Sequence, residues 1–383
     1  MKLLLINPYF GQGENQETEG ATHSPPLGLG FVGTYIRDNT DWEVEIVDPV
    51  PQRLTEKQVL KKVKSADIVG LTSFADTRFY CFEFAAKVRK QNKNCLLIVG
   101  GPYTFVMDDL IMKHYPFIDI LVRGEGEETL LEIVNGKKRE EILGITYKKG
   151  KKIVRNPIRP LAPNIDKYYI DYSLLPPLDA YGKDIEAPAE FRKLKTISTI
   201  ASRGCPFQCA YCANVHWERK WRATSPEELV RRIKGWVDEF GVEYIRFYDD
   251  LFTANKTWVL QVCKLLKKNK VNVKFRVLVR AGTPSEVLKA LADAERYIIN
   301  HPEAAKAVIQ KKLKYGKAYM ADVWPDYEFS LSLGQSLITA MEDEARWMIS
   351  NGLTTEKQVP NFLNYIYIDG LKAIRPEAVN IIR

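Results

Sequence analysis

The segment TISTIASRGCPFQCAYC, residues 196–212, joins a strand-like run to three closely spaced cysteines. The run Thr196 to Ser202 is rich in β-branched residues, which is typical of strands. Cys205, Cys209 and Cys212 follow it, with three and then two residues between them. Thiolates hold iron–sulfur clusters, and a four-iron cluster with three protein ligands keeps one iron free to bind a substrate or cofactor. The segment therefore predicts a cluster site after a strand.

A structural zinc site is the alternative for these cysteines. His216 lies four positions after Cys212 and would complete a Cys3His set. Two observations favour the cluster: the loop follows a strand inside a strand–helix series, and its spacing departs from paired CxxC halves. The other three cysteines, Cys81, Cys95 and Cys263, lie in apolar patterns and are predicted to be buried packing residues.

Strands and helices are predicted to alternate beyond the cysteine loop. A helix begins at Pro226 with Ser225 as its cap. The predicted elements after it are strand Tyr244 to Tyr248, helix Lys256 to Lys267, strand Val273 to Val279 and a helix opening at Thr283-Pro284. Three consecutive strand–helix units indicate the start of a barrel or of a parallel sheet.

The amino-terminal region has the same alternation. Its apolar runs predict five strands, Lys2 to Asn7, Glu43 to Asp48, Ile68 to Ser73, Cys95 to Gly100 and Ile118 to Val122, with amphipathic stretches between them. The pattern predicts an α/β fold with a doubly wound parallel sheet, in which ligands bind beyond the carboxyl ends of the strands. Tyr147 to Val154 is predicted to form a hairpin, and the proline-rich stretch from Asn156 to Leu178 a linker.

Composition limits the class of protein. With 383 residues, 45% hydrophobic and 27% charged, the chain has the composition of an ordinary globular protein with about two or three domains. The apolar start ends at Asn7-Pro8, too short for a signal peptide or a membrane span. Six cysteines without a disulfide-like framework suit a reducing compartment, so we expect a cytoplasmic protein with no membrane contact. The net charge of +8 arises from scattered basic runs, and no nucleic-acid partner is expected.

Residues 1 to about 290 resemble the cobalamin-binding branch of the radical S-adenosylmethionine (radical SAM) family. The carrying motif is CxxxCxxC with the aromatic Tyr211 before the last cysteine. The resemblance implies that the three thiolates hold a 4Fe–4S cluster and that Tyr211 lies against the adenine of S-adenosylmethionine. It implies that Asp249 and Asp250 meet the methionine ammonium group. The implied reaction is reductive cleavage to a deoxyadenosyl radical, cobalamin-dependent methyl transfer, or both, with electrons from a donor such as flavodoxin or ferredoxin.

The same resemblance implies a cobalamin site on the amino-terminal sheet. The implied residues are Pro26, Leu27, Gly28, Thr72, Ser73, Gly100, Gly101, Gly124, Glu125, Gly126 and Glu127. The DxHxxG motif that supplies a lower axial histidine in some corrinoid proteins is absent from this region. We therefore expect no such histidine ligand to cobalamin.

From about residue 290 a different pattern begins. Helical spacing replaces the alternation, and the segment resembles the carboxyl-terminal part of transporter solute-binding proteins of the nitrate, sulfonate and thiamine-precursor type. We therefore expect a partial radical SAM barrel fused to an unrelated helical segment. The predicted domains are a cobalamin-binding domain (1–135), a hairpin and linker (136–190), a radical SAM domain (191–290) and the helical segment (291–383). The alternative functions are a catalytically degenerate cluster-binding protein and a solute-binding component of a transporter.

Overall fold

The structure, a computed structural model, describes residues 1–9, 24–181, 189–209, 212, 218–279, 283–284 and 286–291, together with 333–334, 358 and 379–380. The chain forms two compact units. The first unit comprises Met1–Ile185 and Lys195–Thr224, and the second comprises Glu186–Leu194 and Ser225–Arg383.

A seven-stranded sheet forms the centre of the first unit. Its strands are β1 (Lys2–Ile6), β2 (Glu43–Val47), β3 (Ile68–Thr72), β4 (Leu96–Gly100), β5 (Ile120–Val122), β6 (Ile145–Lys149) and β7 (Lys152–Arg155). Their order is β2-β1-β3-β4-β5-β6-β7, and the first five are parallel. This confirms the predicted doubly wound α/β sheet.

Helices connect the parallel strands because parallel neighbours need a crossover. The connecting helices are α1 (Leu27–Asn39), α2 (Glu56–Val63), α3 (Arg78–Gln91) and α4 (Pro102–His114). A further helix, α5 (Glu127–Val134), lies between β5 and the antiparallel strand β6. The strands read as continuous apolar runs because helices flank them: Leu3, Leu4, Leu5 and Ile6 are all buried. Helix α2 begins with a capping box between Thr55 and Gln58.

The predicted hairpin is present as β6 and β7, and it belongs to the sheet. Strand β6 pairs antiparallel with β5, and Ile145 and Tyr147 are buried. The compact unit thus extends beyond the boundary predicted at residue 135. The reason is that β5 would otherwise leave a row of unpaired backbone groups at an exposed edge. The proline-rich stretch that follows contains the 3₁₀ turns Tyr172–Leu174 and Leu178–Ala180 and lies within the first compact unit, with Tyr168 and Tyr172 buried.

Asp108 of α4 fastens the hairpin to the sheet. Its Oδ2 accepts hydrogen bonds from Thr146 Oγ1 (2.6 Å) and Arg155 Nε (2.7 Å). The same oxygen lies 3.4 Å from Arg123 Nε, and the Arg123 side chain is only 2% exposed. One buried carboxylate therefore compensates a buried guanidinium and binds both hairpin strands.

The Asp108→Ala variant is expected to lose about 3 kcal/mol of unfolding free energy or more, because it leaves the buried guanidinium of Arg123 uncompensated. Asp109→Ala is the matched control, since the ion pair of Asp109 with Lys113 is exposed. Its expected effect is at most about 1 kcal/mol. Urea unfolding followed by circular dichroism measures both variants. Equal losses would contradict the role given to Asp108.

Three short strands of the first unit flank the cysteine loop. They are β8 (Thr196–Thr199), β9 (Ser202–Arg203) and β10 (Arg222–Ala223). The strand predicted as continuous from Thr196 to Ser202 is thus interrupted. Strands β9 and β10 pair antiparallel, with Arg203 opposite Arg222 and Ser202 opposite Ala223. They close the loop of residues 204–221 at its base.

The second unit contains part of the predicted strand–helix series. Its elements are α6 (Pro226–Phe240), β11 (Tyr244–Phe247), α7 (Lys256–Lys268) and β12 (Lys274–Arg276), and residues 286–291 are helical. Strands β11 and β12 are parallel. Pro226 occupies the first helical position after Ser225, as predicted. Asn255 caps α7 by accepting a hydrogen bond from the backbone of Trp258.

The helical segment predicted for residues 291–383 lies almost wholly outside the described residues. At the described positions, β13 (Leu333–Gly334) pairs in parallel with β14 (Val379–Asn380), so the chain is strand rather than helix there. Among the helices that the structure describes, none has the length and apolar character needed to cross a bilayer.

Candidate functional site

The strand-end loops of the first unit bring several predicted residues together. The chain crosses from one side of β1 to the other between β2 and β3, and ligands of such sheets bind at this switch point, beyond the carboxyl ends of the strands. Asn7 follows β1 and donates from Nδ2 to Asp48 Oδ1 at 3.1 Å, next to the end of β2. Polar groups thus gather at the predicted edge.

The ends of β3 and β4 approach closely at Gly101. Its φ is +98° and its ψ 171°, a conformation that is essentially restricted to glycine. A Cβ at this position would lie 2.5 Å from the Ser73 carbonyl oxygen and 3.0 Å from Thr72 Oγ1. The structure therefore brings Thr72, Ser73, Gly100 and Gly101 together, and their contact with cobalamin stays a prediction. Gly101 is required there by the contact between two protein loops.

Ser73 carries a buried hydroxyl at this edge. Among the described residues its Oγ makes no hydrogen bond of good geometry, although the thiol of Cys81 lies against it. Burial raises the pKa of Cys81 to about 12, so this thiol is a packing group, as predicted. A buried polar group without a partner at a sheet edge is suited to a ligand that brings its own donor or acceptor.

Helix α1 begins with the predicted segment Pro26-Leu27-Gly28. Leu27 is buried in the core, whereas Gly28 is exposed, and beyond its own helix backbone a Cβ there would meet no atom of the described residues within 4 Å. Of the three residues, Gly28 presents the open backbone that a ligand could approach.

Exposed aromatic side chains lie beyond β1 and β3, and we call Phe74, Phe79 and Tyr80 the aromatic rim. Phe79 is 64% exposed, and the other two are also exposed. Tyr9, which follows β1, packs edge-on against Tyr80 with 5.8 Å between ring centroids. The sequence analysis missed this feature, although Phe79 and Tyr80 form an aromatic pair at the start of a helix that follows a strand end. An apolar exposed edge at a switch point suits a large, flat ligand.

Glu125 and Glu127, both predicted at the cobalamin site, direct their carboxylates toward arginines. Glu125 Oε1 accepts from Arg203 Nη1 at 2.8 Å and from Arg222 Nη2 at 3.0 Å. Glu127 Oε1 accepts from Arg203 Nη2 at 2.5 Å. Burial alone would raise the pKa of Glu125, but Arg203 and Arg222 outweigh it and hold that pKa below its ordinary value. Sequence reasoning gave the two arginines no role. The available signal was a charged residue, Arg203, at the end of a strand-like run.

The cysteine loop separates the thiols of the chain into two classes. Cys205 and Cys209 are half-buried and Cys212 is exposed, whereas Cys81, Cys95 and Cys263 are buried, and none of the six is in a disulfide. Gly204, with φ +85°, turns the chain just before Cys205, and the Cys212 amide donates to the Cys209 carbonyl at 3.1 Å. Three accessible thiols that are close in sequence on one loop are a suitable donor set for an iron–sulfur cluster.

In the described part of the structure, the thiols of Cys205, Cys209 and Cys212 are not arranged to bind one metal ion. Within the described part of the chain, no group of three or more His, Cys, Asp or Glu side chains has the geometry to hold a metal ion. Tyr211, the predicted adenine contact, and His216, the fourth ligand of the zinc alternative, lie outside the described residues. The assignment of Cys205, Cys209 and Cys212 to a cluster therefore stays a prediction.

The predicted acidic pair lies in the second unit, directly after β11. Asp249 is completely buried, whereas Asp250 is exposed. Of the two carboxylates, Asp250 is the one that a cationic ligand could reach from solvent. Its role toward the ammonium group of S-adenosylmethionine remains a prediction.

Comparison with known proteins defines the two domains. Residues 19–134 match the model of the B12 binding domain, and residues 199–324 match that of the radical SAM superfamily. The chain carries a B12-binding domain followed by a radical SAM domain. These domains imply a 4Fe–4S cluster, S-adenosylmethionine and cobalamin as cofactors.

Several known proteins are similar to most of the chain. The chain is 32% identical over 308 residues to an uncharacterized methyltransferase, PH0819, of Pyrococcus horikoshii, covering 76% of this chain and 63% of that protein. It is 28% identical over 291 residues to the anaerobic magnesium-protoporphyrin IX monomethyl ester cyclase of Rubrivivax gelatinosus, covering 73% and 50%. The chain thus spans between half and two thirds of the length of these relatives.

A solved structure supports the fold. The radical S-adenosylmethionine methyltransferase TsrM from Kitasatospora setae, solved with cobalamin and a [4Fe-4S] cluster bound, superposes with a TM-score of 0.57 at 18% identity. The superposition covers 76% of this chain and 57% of TsrM. At this identity the likeness shows a shared fold.

The expected fusion near residue 290 is not supported. The radical SAM match continues to residue 324, beyond the predicted fusion point at about residue 290. The comparisons give no support to a solute-binding segment. Helical spacing from about residue 290 therefore does not indicate that this segment comes from an unrelated protein family. A barrel also contains helices, and their apolar spacing alone does not identify a family.

Proposed function

We propose that this protein is a radical SAM enzyme that uses cobalamin to transfer a methyl group to a small-molecule substrate. The observation that carries the proposal is the position of the cysteine loop. Its base is bound by Arg203 and Arg222 to the turn after β5, within the same compact unit as the strand-end loops. Three accessible thiols thus belong to the unit that also contains the B12-binding domain.

The residues have separate roles in this proposal. Cys205, Cys209 and Cys212 hold the cluster, and Tyr211 and Asp250 contact the adenine and the ammonium group of S-adenosylmethionine. When bound, the cluster supplies the electron that cleaves the sulfonium, and cobalamin supplies the chemistry of methyl transfer.

The strand-end loops would hold the corrin. Gly28 leaves the backbone open to it, and Gly101 keeps the ends of β3 and β4 in contact beneath it. The exposed aromatic rim would offer it an apolar contact surface.

A reductant completes the proposed system. A small electron-transfer protein such as flavodoxin or ferredoxin would supply electrons, and the cytoplasm would keep the thiols reduced. The six free cysteines agree with such a compartment.

The test is product analysis with the full chain. The protein is reconstituted anaerobically with iron and sulfide, then mixed with a reductant, S-adenosylmethionine and either added cobalamin or none. Chromatography measures 5′-deoxyadenosine and S-adenosylhomocysteine. We expect both products, with S-adenosylhomocysteine formed only when cobalamin is present.

Other outcomes separate the alternatives. A bound cluster with neither product would favour a catalytically degenerate protein. 5′-Deoxyadenosine without cobalamin-dependent S-adenosylhomocysteine would retain radical chemistry and reject methyl transfer. Absence of a cluster would reject the proposal as a whole.

A further inference from the structure

We infer that Glu125 is a positioning residue that fixes both ends of the cysteine loop to the turn after β5, and that it is not a cobalamin contact. The inference rests on the proposed function, because it gives a role to the residues that support the predicted cluster loop. Its evidence is the geometry of two carboxylates and two guanidiniums within the first unit.

Glu125 has its hydrogen-bonding capacity occupied within the protein. Oε1 accepts from Arg203 and Arg222. Oε2 accepts from Arg222 Nη1 at 3.1 Å and from the Ala162 amide at 3.2 Å. A carboxylate only accepts hydrogen bonds, and each oxygen here already has two donors. Little capacity is left for a ligand.

The four charged side chains form a buried, neutral group. None of Arg203, Arg222, Glu125 and Glu127 is more than 10% exposed. The guanidinium of Arg203 also lies over two aromatic rings, 5.0 Å from the centroid of Phe31 and 5.1 Å from that of Tyr168. Two positive charges meet two negative charges, which is the condition under which such groups tolerate burial.

The two arginines mark the two ends of the cysteine loop. Arg203 is opposite Arg222 in the β9–β10 pair, and the Thr224 amide donates to the Ala201 carbonyl at 2.9 Å. Cys205 stands two residues beyond Arg203. A single carboxylate therefore binds both ends of the loop that carries the thiols.

This contact matters for a cluster because residues that hold a ligand loop in place also hold its metal ligands in position. Partners of that kind orient metal ligands, and their loss typically lowers metal affinity or activity by about 10- to 100-fold. Glu127 contributes one further hydrogen bond to Arg203, whereas Glu125 binds both arginines. Glu125 is thus the shared anchor.

The experiment compares Glu125→Gln with a matched control, Asp119→Asn, in the full chain. Asp119 precedes the same strand, β5, at its opposite end, and its Oδ2 accepts from Arg89 Nη2 at 2.5 Å. Both substitutions remove one carboxylate charge from an arginine partner, but only the first touches the base of the cysteine loop.

Two readouts are used. In the protein without iron, hydrogen exchange is measured by mass spectrometry on peptides covering residues 200–209 and 218–224. In the reconstituted protein, the rate of iron loss to a chelator is measured. We expect Glu125→Gln to speed exchange in both peptides and to speed iron loss by about 10-fold or more, while Asp119→Asn leaves both rates at the wild-type value.

Two results would overturn the inference. The first is wild-type exchange in the Glu125→Gln variant; the second is the same acceleration in both variants, which would indicate general destabilisation. Cobalamin binding by the Glu125→Gln variant is measured as well, and a loss of binding with unchanged exchange would return Glu125 to the corrin site. If wild-type protein takes up no cluster, the proposed function fails, but the exchange measurement still decides the role of Glu125.

Discussion

The Cys209→Ala variant is expected to lose the iron–sulfur cluster and to form no 5′-deoxyadenosine. A four-iron cluster held by three thiolates has no spare protein ligand, so removing one leaves a second iron without a protein bond. Iron per chain should fall from about four to near zero after reconstitution. Iron and sulfide analysis, together with the electron paramagnetic resonance spectrum of the reduced protein, measures the loss.

Cys263→Ala is the control for this variant. Cys263 is buried in α7 of the second unit, away from the cysteine loop in sequence. Its substitution removes a small buried group and should cost roughly 1 kcal/mol of stability while the iron content stays unchanged. Retention of the full cluster by Cys209→Ala would refute the assignment of the three cysteines.

The zinc alternative is tested by His216→Ala. A Cys3His zinc site would lose its fourth ligand and most of its metal. A cluster bound by Cys205, Cys209 and Cys212 would keep its iron in this variant. Metal analysis of the wild-type and variant proteins therefore distinguishes the two kinds of site.

The Gly101→Ala variant is expected to lose about 3 kcal/mol of unfolding free energy or more. Its backbone conformation alone costs a non-glycine residue about 1–3 kcal/mol. The new Cβ would also lie 2.5 Å from the Ser73 carbonyl, and forcing a methyl group into such a contact typically adds about 1–3 kcal/mol. Urea unfolding monitored by circular dichroism measures the change.

Gly28→Ala separates stability from cobalamin binding. Outside its own helix backbone, no atom in the described part of the chain lies within 4 Å of the added Cβ, and alanine favours a helix over glycine by about 0.5–1 kcal/mol. The variant should therefore be as stable as wild type or slightly more so. If cobalamin lies over Gly28, its dissociation constant rises nonetheless. Unchanged binding would remove Gly28 from the corrin site.

The parallel part of the fold follows from local sequence. Strands β1 to β4 match the predicted runs to within one residue at each end, because each is a short apolar run bounded by turn residues. The pairing of β6 with β5 is different. It depends on contacts such as Ile120 with Tyr147, between residues far apart in sequence, and a local pattern does not specify a distant partner.

The sequence predicted which types of residue occur at the candidate site. It predicted less well what each of these residues does there. Gly28 and Gly101 were both predicted at the cobalamin site. In the structure Gly28 has open space around it, whereas Gly101 lies in a tight contact between two loops. Likewise, an acidic motif indicates that carboxylates are needed but does not show which cation they bind. For Glu125 the partners Arg203 and Arg222 come from a region that is adjacent only after folding.

The antiparallel hairpin also determines which strands lie at the edges of the large sheet, where other chains could pair with it. With β6 and β7 in place, the outermost strands of the large sheet are β2 and β7, and both carry charged residues, Glu43 and Glu45 on one and Lys152 and Arg155 on the other. Charged edges discourage strand pairing between chains. Detachment of the hairpin would expose the apolar edge Ile120-Leu121-Val122, so aggregation should be the first sign of damage at Asp108.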